Sequence, residues 1–163
     1  METKKLLIVD DEESICEILQ FNFENEGFTV DIATSGEDAL EKVASEKYQA
    51  IILDIMLSGL SGLRVAEKLR KSSNFTPIIF LSAKNTENDL LTGFAIGGDD
   101  YIFKPFSVKE VIARVRAILR REQKQRPQAN SNSEYIAIGE VRMYLESRVV
   151  KIKDEIIILT KTE

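Results

Sequence analysis

Lys5-Leu6-Leu7-Ile8-Val9-Asp10-Asp11 is an apolar, partly β-branched run closed by two carboxylates. An unbroken apolar run of this length reads as a strand buried on both faces, the kind a parallel sheet uses. The pattern returns along the chain: Ile51 to Leu53 closed by Asp54, Ile78 to Leu81 closed by Ser82, and Tyr101 to Phe103 closed by Lys104. Ligands of open parallel sheets bind in the crevice outside the carboxyl ends of the strands. These strand ends therefore point to one polar pocket whose side chains suit phosphate or magnesium chemistry.

Between the strands the spacing turns helical. Ile15, Ile18, Leu19 and Phe23 recur at helical intervals over residues 13–26, and Gly27 terminates that helix. A strand over 28–33 follows, then a helix from Gly36 to about Lys47 with Ala39, Leu40 and Val43 inward, and the strand Ala50 to Leu53. A third helix covers about Ser61 to Lys71, and Pro77 introduces the fourth strand. A fourth helix covers about Thr86 to Ile96, and Tyr101 to Phe103 and Ser107 to Arg121 make the fifth strand and helix. Repeated strand and helix predict an α/β fold, a doubly wound five-stranded parallel sheet with right-handed crossovers and helices on both faces. Of the common strand orders, 2-1-3-4-5 sets the first and third strands side by side, so Asp10, Asp11 and Asp54 converge.

A chain of 163 residues holds one core of about 120 residues and something smaller. The net charge of −5 argues against a chain-wide footprint for nucleic acid or an acidic membrane surface. Arg114, Arg116, Arg120 and Arg121 form a local exception, read by default as a solvated helix face. Cys16 lies in the first helical pattern and is expected as a small core-facing side chain. No apolar run approaches the roughly 20 residues needed to span a bilayer, so a cytoplasmic protein without a membrane partner is expected. The absence of histidine leaves hard, oxygen-bound cations as the metals to expect, Mg2+ first among them.

After Arg121 the text changes. Residues 122–134 are polar, hold Pro127 and an Asn-Ser-Asn-Ser stretch, and read as a linker. From Tyr135 alternation returns in short segments, 135–138, 141–145, 148–152 and 156–159, which predict an antiparallel β-meander. Thr160 to Glu163 resembles a helix start. The domain organisation expected is 1–121, a linker over 122–134, and a second, incomplete sheet unit over 135–163.

Magnesium favours octahedral oxygen coordination with several waters kept, and carboxylates plus a substrate phosphate satisfy it. Asp10, Asp11 and Asp54 supply such a set. A carboxylate can also attack phosphorus to give an aspartyl phosphate when a cation and hydrogen-bond donors offset charge on the equatorial oxygens. Lys104 is the candidate cation and Ser82 the hydroxyl donor. Two plainer readings stand beside these: acidic residues after a strand also serve as helix N-caps, and Tyr101 also suits ordinary core packing.

Asp10-Asp11, Leu53-Asp54-Ile55-Met56, Leu81-Ser82-Ala83, Gly98-Asp99-Asp100-Tyr101 and Lys104-Pro105-Phe106 together resemble bacterial response-regulator receiver domains with a flavodoxin-like fold, over residues 4–121. The segment ending Ile158-Leu159-Thr160-Lys161-Thr162-Glu163 resembles the opening four-stranded sheet of a winged-helix output domain of the OmpR/PhoB subfamily. The resemblance implies that Asp54 accepts a phosphoryl group from a sensor histidine kinase, and that Asp10, Asp11, Asp54 and the Met56 carbonyl hold Mg2+. It makes Lys104 the partner of the phosphate, and Ser82 and Tyr101 the switch that alters the face of the fourth helix, fifth strand and fifth helix. Met56 and Lys84 flank the site. The output fragment is far shorter than the roughly 95 to 100 residues of such a domain, which itself lies in the usual small-domain range. DNA is accordingly expected as a partner of the complete output domain and not of this chain.

By the same resemblance the switching face mediates homodimers through salt bridges, with Asp100, Glu110, Arg114 and Arg116 at matching positions. Leu90 stands where a basic partner is usual and Ala95 where an acidic one is usual, so the Asp100 to Arg114 pair alone looks intact. Leu90, Leu91 and Phe94 make the expected dimer face more apolar. Ser58 stands where the family usually has proline and is expected to loosen that loop without touching the chemistry. A phosphohydrolase of the haloacid-dehalogenase type also forms an aspartyl phosphate, but places a second Asp two residues on, where this chain has Met56. A phosphoacceptor that assists its own phosphorylation and dephosphorylation is expected rather than an enzyme that turns over substrate.

Overall fold

The computed structural model describes residues 4–83, 87–125, 135–138, 141–144, 149–152 and 155–158. Strand and helix alternate through β1 (Lys5–Val9), α1 (Glu13–Asn25), β2 (Thr29–Ala33), α2 (Gly36–Ser45) and β3 (Ala50–Asp54). They continue through α3 (Gly62–Lys71), β4 (Ile78–Ser82), α4 (Glu87–Ile96), β5 (Asp100–Phe103) and α5 (Val108–Gln125). The strands pair in the order β2-β1-β3-β4-β5, every pair parallel. This is the doubly wound, flavodoxin-like arrangement that the alternating pattern predicts.

Hydrophobic burial on both faces holds the sheet. Every residue of β3 and β4 is buried, whereas the edge strand β2 leaves Thr29 exposed and Asp31 and Ile32 half-buried. Leu7, Val9, Ile51, Leu53, Ile78 and Phe80 join Ala39 of α2 and Val65, Ala66 and Leu69 of α3 in one apolar cluster. Leu6, Ile8, Ile52 and Ile79 alternate to the opposite face and are equally shut from water, as are Leu19 and Phe23 of α1 and Val111 and Val115 of α5. A fully buried side chain of this kind is worth about 1.5–3 kcal/mol relative to exposure. Two such layers fix the strands' positions and so fix where their polar ends fall.

Helix ends follow local chemistry, with small departures from the sequence reading. Ser35 Oγ accepts from the Asp38 N–H at 3.1 Å at the start of α2, and Ser61 Oγ accepts from the Arg64 N–H at 3.4 Å at the start of α3. Gly27 follows α1 with φ +86°, a conformation that favours glycine. Of the apolar residues expected inward on α1, Leu19 and Phe23 are buried but Ile18 is 49 % exposed, because the buried stripe runs through Cys16 instead. α2 ends at Ser45, where Glu46 turns to extended backbone.

α5 continues past Arg121 to Gln125, so residues 122–125 of the expected linker are helical. Glu122, Gln123, Lys124 and Gln125 are all good helix formers, and the next breaker in the sequence is Pro127. The rest of that linker, 126–134, lies outside the described residues. By its contacts the chain divides into units of residues 1–118 and 119–163. In the second, β6 (Tyr135–Ile138), β7 (Val141–Tyr144), β8 (Val149–Ile152) and β9 (Glu155–Ile158) form an antiparallel sheet in sequence order. The helix start expected at Thr160 lies outside the described residues.

Candidate functional site

Strand register gathers the site. Val9 lies beside Leu53 across β1 and β3, Asp54 beside Leu81 across β3 and β4, and Ser82 beside Phe103 across β4 and β5. The residue that ends or follows each strand, Asp10, Asp54, Ser82 or Lys104, thus falls on the carboxyl edge of the sheet. β1 and β3 are the neighbours at which the strand order reverses, and the crevice there belongs to the fold rather than to any one loop.

Lys104 ties this edge together. Its ammonium donates to Asp54 Oδ2 at 2.7 Å and to Asp10 Oδ2 at 2.9 Å. Burial pulls its pKa down, but hydrogen bonds to Asp54 and Asp10 outweigh this and hold it above the ordinary lysine value. Asp10 is 0 % exposed, and burial raises its carboxyl above the usual range despite the Glu12 N–H and Lys104 donors. The Glu12 N–H donates to Asp10 Oδ1 at 2.9 Å, and the Met56 N–H donates to Asp54 Oδ1 at 2.8 Å. The Cys16 thiol, buried as the sequence predicts, donates to the Asp10 carbonyl at 3.3 Å, and burial pushes its pKa up to about 11.

The plainer reading of the acidic pair holds in one respect. Asp10 accepts a backbone N–H in the turn before α1, but the helix cap itself is Glu12, which makes no side-chain capping bond. Neither role of a cap explains a fully buried carboxylate facing a lysine. Asp11 is exposed, and its Oδ2 accepts from the Ser58 hydroxyl at 2.9 Å and the Ser58 N–H at 3.3 Å. One oxygen from each of Asp10, Asp11 and Asp54 lies within 4.8 Å of the others. With Lys104 the group carries two formal negative charges in excess, all on oxygen, which fits a hard divalent cation.

Ser82 is buried on the same edge, and its side chain hydrogen-bonds that of Tyr101. Tyr101 is 4 % exposed; its ring lies 6.2 Å from that of Phe80 and 5.1 Å from that of Phe103. A Cβ at Gly93 of α4 would sit 3.2 Å from the Tyr101 ring, so the small residue leaves the ring its place. The Met56 side chain is exposed and Lys84 lies outside the described residues.

On the face of α4, β5 and α5, Arg114 Nη1 donates to Asp100 at 2.9 and 3.0 Å, and Arg114 Nη2 donates to Glu110 at 3.0 Å. Arg116 pairs with Glu26, a residue at the end of α1 that the sequence reading does not single out. Leu91 and Phe94 are exposed, whereas Leu90 is partly buried against the apolar cluster and belongs only in part to the outer face expected of it. Ser58, singled out in the sequence for its place in the loop after β3, makes a contact the sequence reading does not foresee, with Asp11, 47 positions away.

Known proteins resemble this chain in sequence and in fold. The sequence matches the response regulator receiver domain family over residues 6–116. It is 42 % identical over 164 residues to the alkaline phosphatase synthesis transcriptional regulatory protein PhoP of Bacillus subtilis (strain 168), covering 98 % of this chain and 68 % of that protein. Among solved structures, the Francisella response regulator 1452 receiver domain is 34 % identical with a TM-score of 0.71, over 74 % of this chain and 99 % of that one. The response regulator TrrA of Thermotoga maritima, in complex with Mg(2+)-BeF, is 38 % identical with a TM-score of 0.65, over 71 % of this chain and 99 % of that one. The matched span holds the strand ends that bring the half-buried Lys104 together with Asp10, Asp11 and Asp54 on one sheet edge, and the chain belongs to the response regulator receiver domain family.

Proposed function

We propose that this chain accepts one phosphoryl group on Asp54 from a sensor histidine kinase and passes that event to the face of α4, β5 and α5. The observation that carries the reading is the Lys104 ammonium bridging Asp54 and Asp10 within a compact set of three carboxylates. An Asp54 oxygen attacks phosphorus as the bond to the imidazole nitrogen breaks, and that nitrogen keeps the bonding electron pair. Lys104 and the Ser82 hydroxyl then meet the phosphoryl oxygens. Asp10, Asp11, Asp54 and the Met56 carbonyl would hold Mg2+, which when bound supplies neutralisation of charge on those oxygens. These parts serve phosphorylation and dephosphorylation of the chain itself.

Ser82 and Tyr101 make up the switch in this reading, supported by their shared hydrogen bond and by the buried Tyr101 ring. Homodimers form through the α4-β5-α5 face, where Leu91 and Phe94 are exposed, Leu90 is partly buried against the core, and Asp100, Glu110, Arg114 and Arg116 supply charge. The protein is a transcription regulator of the OmpR/PhoB type, working in the cytoplasm. Receiver, linker and the β6–β9 sheet follow one another along it, that sheet opening a winged-helix domain that contacts DNA only when complete.

A phosphodonor assay tests the reading. Incubation with Mg2+ and a small phosphodonor gives one stoichiometric phosphoryl adduct by intact mass spectrometry, removed when the metal is chelated beforehand. Sustained release of phosphate from phosphoesters, with no adduct, overturns it in favour of a hydrolase.

A further inference from the structure

The three carboxylates of the site are held unequally. Asp10 and Asp54 are buried, and on each of them both oxygens accept a hydrogen bond, from Lys104 and from a backbone N–H. Asp11 is exposed and does not share that lysine. An exposed carboxylate loses rotational freedom when it takes up a cation, and a partner that orients it beforehand removes part of that cost. Ser58, on the loop after β3, supplies such a partner twice over, with hydroxyl and N–H both on Asp11 Oδ2. The two bonds also lash the loop after β1 to the loop after β3, the pair that flanks the crevice. Proline, the residue expected at this position from the family pattern, has neither donor.

The structure assigns Ser58 as a positioning residue that pre-orients Asp11 and thereby sets the affinity of the site for Mg2+. This rests on the reading of the carboxylate cluster as the magnesium site. The hydroxyl bond, shorter at 2.9 Å than the N–H bond at 3.3 Å, is the stronger hold on the carboxylate. Ser58 is itself exposed and packs no core, so its loss removes the orientation without unmaking the fold.

Isothermal titration of the full chain with Mg2+ tests the assignment, with wild type, Ser58→Ala, Ser58→Pro and Ser58→Thr side by side. Loss of a residue that holds a metal ligand weakens binding by about tenfold at the low end of the known range. That loss is expected for Ser58→Ala and at least as much for Ser58→Pro, with Ser58→Thr close to wild type. Melting temperatures in chelator, expected to agree between wild type and Ser58→Ala, separate positioning from a merely structural role. Wild type that binds Mg2+ with Ser58→Ala binding equally tightly or tighter overturns the role of Ser58 and leaves the metal site standing. Wild type that takes up no Mg2+ overturns the metal site and the role of Ser58 with it.

Discussion

With its ammonium 2.7 Å from Asp54 and 2.9 Å from Asp10, Lys104 offsets two carboxylates that the sheet buries. Breaking a buried ion pair by removing one partner leaves uncompensated charge and costs about 3–5 kcal/mol. Lys104→Met should therefore lose about 3 kcal/mol of stability in chelator at neutral pH, and Mg2+ should stabilise the variant more than the wild type. Urea titrations with and without Mg2+ measure both effects, and unchanged stability in chelator would contradict this account of the pocket. Asp10, Asp54, Ser82 and Lys104 were legible in the sequence because each closes an apolar run, and a strand end has a known place in such a sheet. The contact of Ser58 with Asp11 was not, since a loop serine has no periodicity and its partner lies far away along the chain. Ile18 shows the other limit: helical spacing reveals a stripe, but which residue at its margin meets the core is settled by packing.

At the scale of elements, a close backbone approach holds the site in place. A Cβ on Gly62 would stand 2.1 Å from the Asp54 carbonyl oxygen and 2.9 Å from the Ile55 Cα, so α3 can start this close to the end of β3 only without one. Gly62→Ala should cost more than about 2 kcal/mol in urea denaturation and lower phosphodonor labelling, while a neutral result would show that the loop yields. At the opposite end of the sheet, the Tyr48 hydroxyl donates to Asp31 Oδ2 at 2.6 Å and Lys5 lies 2.9 Å from the same oxygen, joining β1, β2 and the approach to β3. Burial works to raise the Asp31 pKa, but these partners outweigh it and set the folded value below the ordinary one. Such a group stabilises the fold above its unfolded pKa, and the gain is lost as pH falls through the folded one. The stability gap between wild type and Asp31→Asn should therefore be open at neutral pH and close below about pH 4. Element order and pairing were legible because continuous and helical patterns alternate cleanly. Helix ends were less so: α5 outran its expected end because good helix formers continue beyond Arg121.

Along the whole molecule a parallel α/β unit is followed by a small antiparallel sheet, and the carboxylate cluster with Lys104 lies in the first. Among the described residues no helix is long and apolar enough to cross a membrane. In the function proposed above, what the receiver family does in general reaches this chain through one atom set, the carboxylate of Asp54 facing Lys104 and Asp10. Peptide mapping after treatment with Mg2+ and a small phosphodonor, on wild type and Asp54→Ala, tests that claim most directly. The account predicts a single phosphoryl group on the peptide bearing Asp54 in wild type and none on the variant. A wild type without the adduct, or a variant labelled as fully as the wild type, would contradict it.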